Sequence, residues 1–114
     1  MSECLFCAIV TGEINANVVY RDDAIVAFKD IVPRAPVHIL LIPRKHLVSV
    51  SDIADADHTL IGRIFAVAAR LAREQGIADS GYRIVVNSGA DAGQSVFHLH
   101  YHLLGGRQMG WPPG

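Results

Sequence analysis

Between Phe97 and Leu103 the chain changes character at every step: Phe97, Leu99, Tyr101 and Leu103 interleave with His98, His100 and His102. Side chains on an extended strand point alternately to its two faces, so this period of two is the pattern of a strand with one face in a core. The spacing predicts a strand over 96–104, ended by Gly105-Gly106, with the aromatic and leucine side chains inward. The imidazoles then share the other face, roughly 6.5–7 Å from one to the next. Histidine is not a preferred strand residue, and a row of imidazoles repels itself when protonated. One histidine there would read as packing. Three of the chain's six in one row point to chemistry.

The remaining elements follow from the same reasoning. A short helix is expected near 4–11, stopped by Gly12. Val18–Arg21 and Ile25–Lys29 are β-rich runs joined by Asp22-Asp23, which reads as a hairpin. Residues 30–36 carry two prolines and read as loop, and Val37–Ile42 as a third strand stopped by Pro43. A long helix is expected over 55–75, because Leu60, Ile64, Val67, Ala68 and Leu71 fall on one helical face. Gly76 is a stop for it. Tyr82–Asn87 alternates as a fourth strand. Short connections within each strand group favour antiparallel pairing, which gives an α+β fold: a five-stranded antiparallel sheet with one short and one long helix.

The length of 114 residues suits a single domain over 1–114. A hydrophobic fraction of 51% with 18% charged residues argues for a folded globule and against disorder. The net charge of −1 gives no electrostatic case for nucleic acid or an anionic membrane as partner. The run Ile39–Ile42 is too short to cross a bilayer. Met1-Ser2-Glu3-Cys4 has no basic n-region, so a cytoplasmic location is expected.

Two readings of the histidine row survive on chemistry alone. Neutral imidazole is a common metal ligand. It is also a nucleophile that can attack phosphorus and leave again. The loop Asn87-Ser88-Gly89-Ala90-Asp91-Ala92-Gly93-Gln94-Ser95 runs straight into the row, and glycine-bearing loops let backbone N–H groups approach phosphate oxygens. It lacks the Gly-Lys-Ser/Thr ending of a P-loop. Cys4 and Cys7 form a CxxC pair, read as a redox couple or half of a zinc site. No strand precedes the pair, which weakens the redox reading.

The stretch Gln94-Ser95-Val96-Phe97-His98-Leu99-His100-Tyr101-His102-Leu103-Leu104-Gly105-Gly106 resembles the signature of the histidine triad (HIT) superfamily. Arg107-Gln108-Met109 and Trp111-Pro112-Pro113-Gly114 resemble its HINT branch of nucleotide-binding proteins, as do Asp30-Ile31 and Ala35-Pro36-Val37-His38. The resemblance implies a homodimer in which two five-stranded sheets join into a ten-stranded one. It implies purine nucleoside phosphoramidates and related acyl-adenylates as substrates, cleaved to AMP or GMP with no metal at the reacting centre. His100 is the implied nucleophile, with His102, Ser95 and His38 as the other catalytic groups. Asp30 is implied at the ribose hydroxyls, and Phe6, Phe28, Ile31 and Leu40 at the base. Asn87, Gly93, Gln94, Ser95, Val96, His100 and His102 are implied along the phosphate. Trp111 resembles a tail residue that reaches the partner's site. Cys4, Cys7, His46 and His98 match a structural zinc set found in some bacterial members. Without the resemblance, the cysteines read equally well as small apolar residues of the first helix. A nucleotide-binding module without turnover and a metallohydrolase ligated by His98, His100 and His102 remain competing readings.

Overall fold

The computed structural model describes residues 4–114. Its first helix, α1 (Leu5–Thr11), starts at Cys4, whose sulfur accepts the Cys7 N–H. It ends at Gly12, which takes the left-handed conformation at φ 86°. Strand β1 (Val18–Arg21) turns into β2 (Ile25–Lys29) through Asp22, whose Oδ1 accepts the N–H groups of both Ala24 and Ile25 at 2.7 Å. Such a side-chain-capped turn is what aspartate does well in a tight reversal. β3 (Val37–Pro43), α2 (His58–Glu74), β4 (Tyr82–Val86) and β5 (Tyr101–Gly105) follow. The five strands form one antiparallel sheet in the order β1-β2-β3-β5-β4.

The sheet separates two cores. On one face Ile25, Ala27, Ile39, Leu41, Tyr101 and Leu103 pack against Ile64, Val67, Ala68 and Leu71 of α2. On the other, Val26, Phe28, Leu40 and Ile42 pack against Phe6 and Ile9 of α1. β2 is therefore buried on both sides, although a hairpin strand near a sheet edge usually keeps one wet face.

Two elements start three or more residues later than the sequence-based expectation, and the other boundaries shift by at most a single residue. The long helix begins at His58, because Asp55–Asp57 closes as a separate 3₁₀ turn. Asp57 turns its buried carboxylate back to the Ala54 N–H at 3.0 Å and to Lys45 Nζ at 2.7 Å. The fifth strand begins at Tyr101, not at residue 96. Its pairing with β3 runs from Val37↔Gly105 to Leu41↔Tyr101, so the same register would set Leu99 against Pro43. Proline has no N–H to give a ladder. The Leu99 N–H instead donates to Leu47 O at 2.6 Å. Alternation survives the loss of pairing, with Leu99 in the α2-side core. Phe97, expected inward, lies on the surface.

Candidate active site at the histidine segment

The face of the sheet under α1 carries the histidines. His38 shares β3's orientation with Leu40, and β3 runs beside β5 with Leu40 opposite His102. Ring centroids of His100 and His102 lie 5.0 Å apart, and those of His38 and His102 5.2 Å apart. Phe6 of α1 stands edge-on to both His98 and His100.

Each imidazole takes its role from the partner of its second nitrogen. His100 Nδ1 lies 2.7 Å from His98 O. A carbonyl only accepts, so Nδ1 carries the proton and Nε2 keeps its lone pair. His38 Nδ1 faces the Arg34 N–H at 3.0 Å and must accept. Its proton therefore sits on Nε2, 2.9 Å from His102 Nδ1 and 3.4 Å from Asp30 Oδ2. His102 in turn accepts at Nδ1 and presents Nε2–H. Burial first, then the neighbouring His100 and His38, pushes the His102 pKa down to about 4. Burial likewise lowers that of His38, against the pull of Asp30. Both rings are neutral hydrogen-bonding groups near pH 7.

His100 and His102 line a cavity of about 300 Å³ with Asp30, Ser95 and Val96 at one side. Phe6, Phe28, Ile31 and Leu40 form its apolar walls. Ile31 is 94% exposed, so that wall stands open to solvent. Leu5, Ile9, Ile14, Asn15, Ala16 and Lys29 also line the cavity, and none was singled out from sequence. Leu5 and Ile9 sit one turn apart on α1, a helical spacing that was the available signal.

Three of the loop residues sit differently. Asn87 follows β4 and is not among the cavity's walls, nor are Gly93 and Gln94. Gly93 bends the chain at φ 82°, and its N–H is taken by Ala90 O at 3.0 Å. The Gln94 N–H goes to Gly89 O, and its buried amide bonds Val48 O at 2.6 Å, Val96 O at 3.2 Å and the Gly89 N–H at 2.9 Å. The glycine loop is thus folded on itself, and Gln94 is its clamp. His38 lies behind the cavity, against His102. Trp111 is 82% exposed, with the Arg83 guanidinium 5.9 Å from its ring centre, and lies away from its own chain's cavity.

His98 is fully buried and its ring faces a different cluster from the other two. Its Nε2–H donates to Pro43 O at 2.8 Å, leaving Nδ1 toward Cys4 Sγ at 3.4 Å, Cys7 Sγ at 3.5 Å and His46 Nδ1 at 3.2 Å. The four donor atoms lie within 4.8 Å of one another. The metal reading that joins His98 to His100 and His102 is overturned, because the His98 ring belongs to the cysteine cluster. Asp30, His38 and His102 also bring ligand atoms within 4.8 Å. There the Arg34 N–H occupies His38 Nδ1, so a metal on Nε2 would require an imidazolate, against the usual pattern of a ligating histidine donating its other N–H.

Comparison with known proteins gives the family. The family model for the HIT domain matches residues 11–109. The purine nucleoside phosphoramidase of Escherichia coli K12 is 44% identical over 108 residues, covering 95% of this chain and 91% of that one. A HIT family hydrolase from Legionella pneumophila superposes with a TM-score of 0.97 at 51% identity, covering 98% of this chain and all of that one. A zinc-bound histidine triad family protein from Mycobacterium smegmatis has a TM-score of 0.79 at 34% identity, covering 93% and 76%. The family match over most of the chain, the relative at 44% identity and the superposition over nearly its whole length agree: this chain belongs to the HIT family and is a HIT-family hydrolase.

Proposed function

We propose that the chain hydrolyses purine nucleoside 5′-phosphoramidates, and related acyl-adenylates, to AMP or GMP by double displacement on His100. The observation that carries this reading is the 2.7 Å contact from His100 Nδ1 to His98 O at the floor of an open, mostly apolar cavity. It leaves one unprotonated ring nitrogen for an in-line attack on the α-phosphorus. The E. coli relative's name as a purine nucleoside phosphoramidase supports the substrate class.

The roles follow from position. The base enters between Phe6, Phe28, Ile31 and Leu40, and the Asp30 carboxylate accepts from the ribose hydroxyls. Asp30 Oδ1 already accepts the Val32 N–H at 2.8 Å, which holds the carboxylate in place. His102 Nε2–H and the Ser95 and Val96 N–H groups stabilise the non-bridging oxygens. As Nε2 bonds to phosphorus, the P–N electron pair goes to nitrogen. That nitrogen takes a proton from water by way of the Ser95 hydroxyl, and the amine leaves. Water then cleaves the P–Nε2 bond, loses its proton to solvent and restores the His100 lone pair. His38 acts through His102. No metal is needed at phosphorus in this scheme.

We assign a structural zinc to Cys4, Cys7, His46 and His98. Two thiols, two imidazoles and a buried carbonyl on the far nitrogen of His98 fit a closed site of this ion. Thiol ligands of this kind persist in a reducing cytoplasm, where we place the protein. Among the described residues no helix is long and apolar enough to cross a membrane. We further propose a homodimer in which two sheets join into one of ten strands, supported by the unpaired edge at β4 and the exposed Phe65 and Tyr82.

The test is release of AMP from adenosine 5′-phosphoramidate by the wild type and by His100→Ala, each with and without EDTA. Loss of at least about 10³-fold in kcat is expected for the variant, as for removal of a nucleophile. Persistent turnover by His100→Ala would sink the assignment, and tight AMP binding without wild-type turnover would point to a sensor.

A further inference from the structure

A purine meets apolar walls with its two flat faces, but its rim carries ring nitrogens and an amino or oxo group that lose water on entry. The cavity under α1 offers that rim little that is polar. Asp30, Ser95, His100 and His102 serve ribose and phosphate in the reading above. Lys29 stands opposite Ile39 in the β2–β3 ladder, and paired residues share a face, so its side chain turns to the α2 side, beside Gln75. Asn15 is left. It is exposed, and among the described residues no hydrogen bond engages its side-chain amide. Its place follows from the course of α1. Leu5 stands with Ser95 and Val96 at the phosphate end, where the three also border a second cavity. Ile9 is one turn further on, and the Ile14 N–H donates to Ala8 O at 3.2 Å, so residues 14–16 continue away from that end. The Lys29 N–H donates to Asn17 O at 3.0 Å and ties the segment to the end of β2. Between these tethers Ala16 packs with Phe6, Ile9, Phe28 and Leu40, which sets Asn15 at the base end of the cavity.

We propose that Asn15 reads the rim of the purine farthest from the ribose and so determines which bases the enzyme accepts. The proposal rests on the phosphoramidase reading and the base seat given there. In a purine joined to its sugar through N9, the far edge carries N1 and the group on C6. Adenine presents an acceptor and a donor there, N1 and the 6-amino N–H. Guanine presents the reverse, an N1–H donor and a 6-oxo acceptor. A side-chain amide holds one donor and one acceptor group, and a half-turn about its last bond exchanges them. One asparagine therefore takes both purines, whereas a purine with no group on C6 leaves half of the amide unpaired. A carboxylate at this position would only accept. It would match the N1–H and 2-amino N–H of guanine and oppose N1 of adenine.

The experiment compares the 5′-phosphoramidates of adenosine, guanosine and purine riboside, the last with hydrogen on C6. Wild type is expected to favour each of the first two over the third by about three- to tenfold in kcat/KM, the reach of one hydrogen bond. The difference should lie in KM, because the base is bound alike before and during the reaction. Asn15→Leu should bring the three substrates within about twofold of one another. Asn15→Asp should instead favour guanosine over adenosine by at least about tenfold, since a hydrogen bond to a charged acceptor is the stronger kind. Wild type that treats purine riboside as it treats adenosine overturns the proposal before any variant is made. Substrate ratios unchanged in both variants overturn it too. A wild type that hydrolyses none of the three defeats the phosphoramidase reading alone. The same ordering is then sought in the dissociation constants of AMP, GMP and purine riboside 5′-monophosphate, where equal affinities overturn this proposal as well.

Discussion

Four imidazoles of this chain differ less in their surroundings than in what touches the nitrogen that does no chemistry. Carbonyls at Pro43 and His98 hold protons on His98 Nε2 and His100 Nδ1, while the Arg34 N–H forces the opposite tautomer on His38. His102 inherits its tautomer from His38. A consequence can be measured in stability. His102 takes a proton near pH 6.5 when unfolded and only near about 4 when folded. Between those values the unfolded chain binds more protons, so stability falls as pH drops through that window and is flat above it. The full effect is up to about 3 kcal/mol. Urea midpoints from about pH 7.5 to about pH 4.5 are expected to fall more for wild type than for His102→Asn, which cannot titrate. Equal falls would count against a neutral His102. Which histidine would turn to the cysteines, and which to the cavity, is not readable from their alternation alone. The deciding partners are backbone groups brought close only by the fold.

At the scale of elements, hydrophobic period was a good guide and local chemistry a partial one. The α2 face of Ile64, Val67, Ala68 and Leu71 is buried where the pattern set it. The turn at Asp22 and the stop at Gly12 follow from side-chain and φ preferences that act within a few residues. What the pattern missed depends on a neighbour: β5 is shortened by a proline on another strand, and Phe97 is turned out where its pairing ends. The glycine loop shows the same limit. Its glycines announce a bend, but that Gln94 clamps the loop to Val48 needs the three-dimensional approach of residues 46 apart in sequence. Gln94→Ala leaves the Val48 carbonyl and the Gly89 N–H without these partly buried hydrogen bonds, and is expected to cost about 1–3 kcal/mol in urea unfolding. AMP affinity should fall with it, because the clamp also sets the course of Ser95 and Val96. Unchanged stability with unchanged affinity would show that the loop holds its shape without the amide.

On the scale of the whole molecule, the two cores are unequal. The α2 core joins a 17-residue helix to all five strands, whereas α1 has seven residues and rests on Phe6 and Ile9. A helix that short has no stability of its own in water. Yet α1 supplies Phe6, whose ring centre is 5.0 Å from that of His100, and Leu5, which walls both cavities. The cysteine cluster is the second tie: Cys4 caps α1, Cys7 lies within it, and His46 and His98 come from segments on the sheet side. A zinc ion there would fasten the cavity's lid to its floor, and its binding energy would count as folding energy. The purified chain is accordingly expected to carry about one zinc per protomer by elemental analysis. Cys7→Ser should lose the metal, melt at a lower temperature and bind AMP more weakly. His100→Ala should keep the metal while losing turnover. The pair of variants separates the two uses of histidine on this sheet, since a metal that served the reacting phosphorus would tie both losses to one residue. A Cys7→Ser protein that melts and binds AMP as the wild type does would show that Phe6 and Ile9 alone hold the lid.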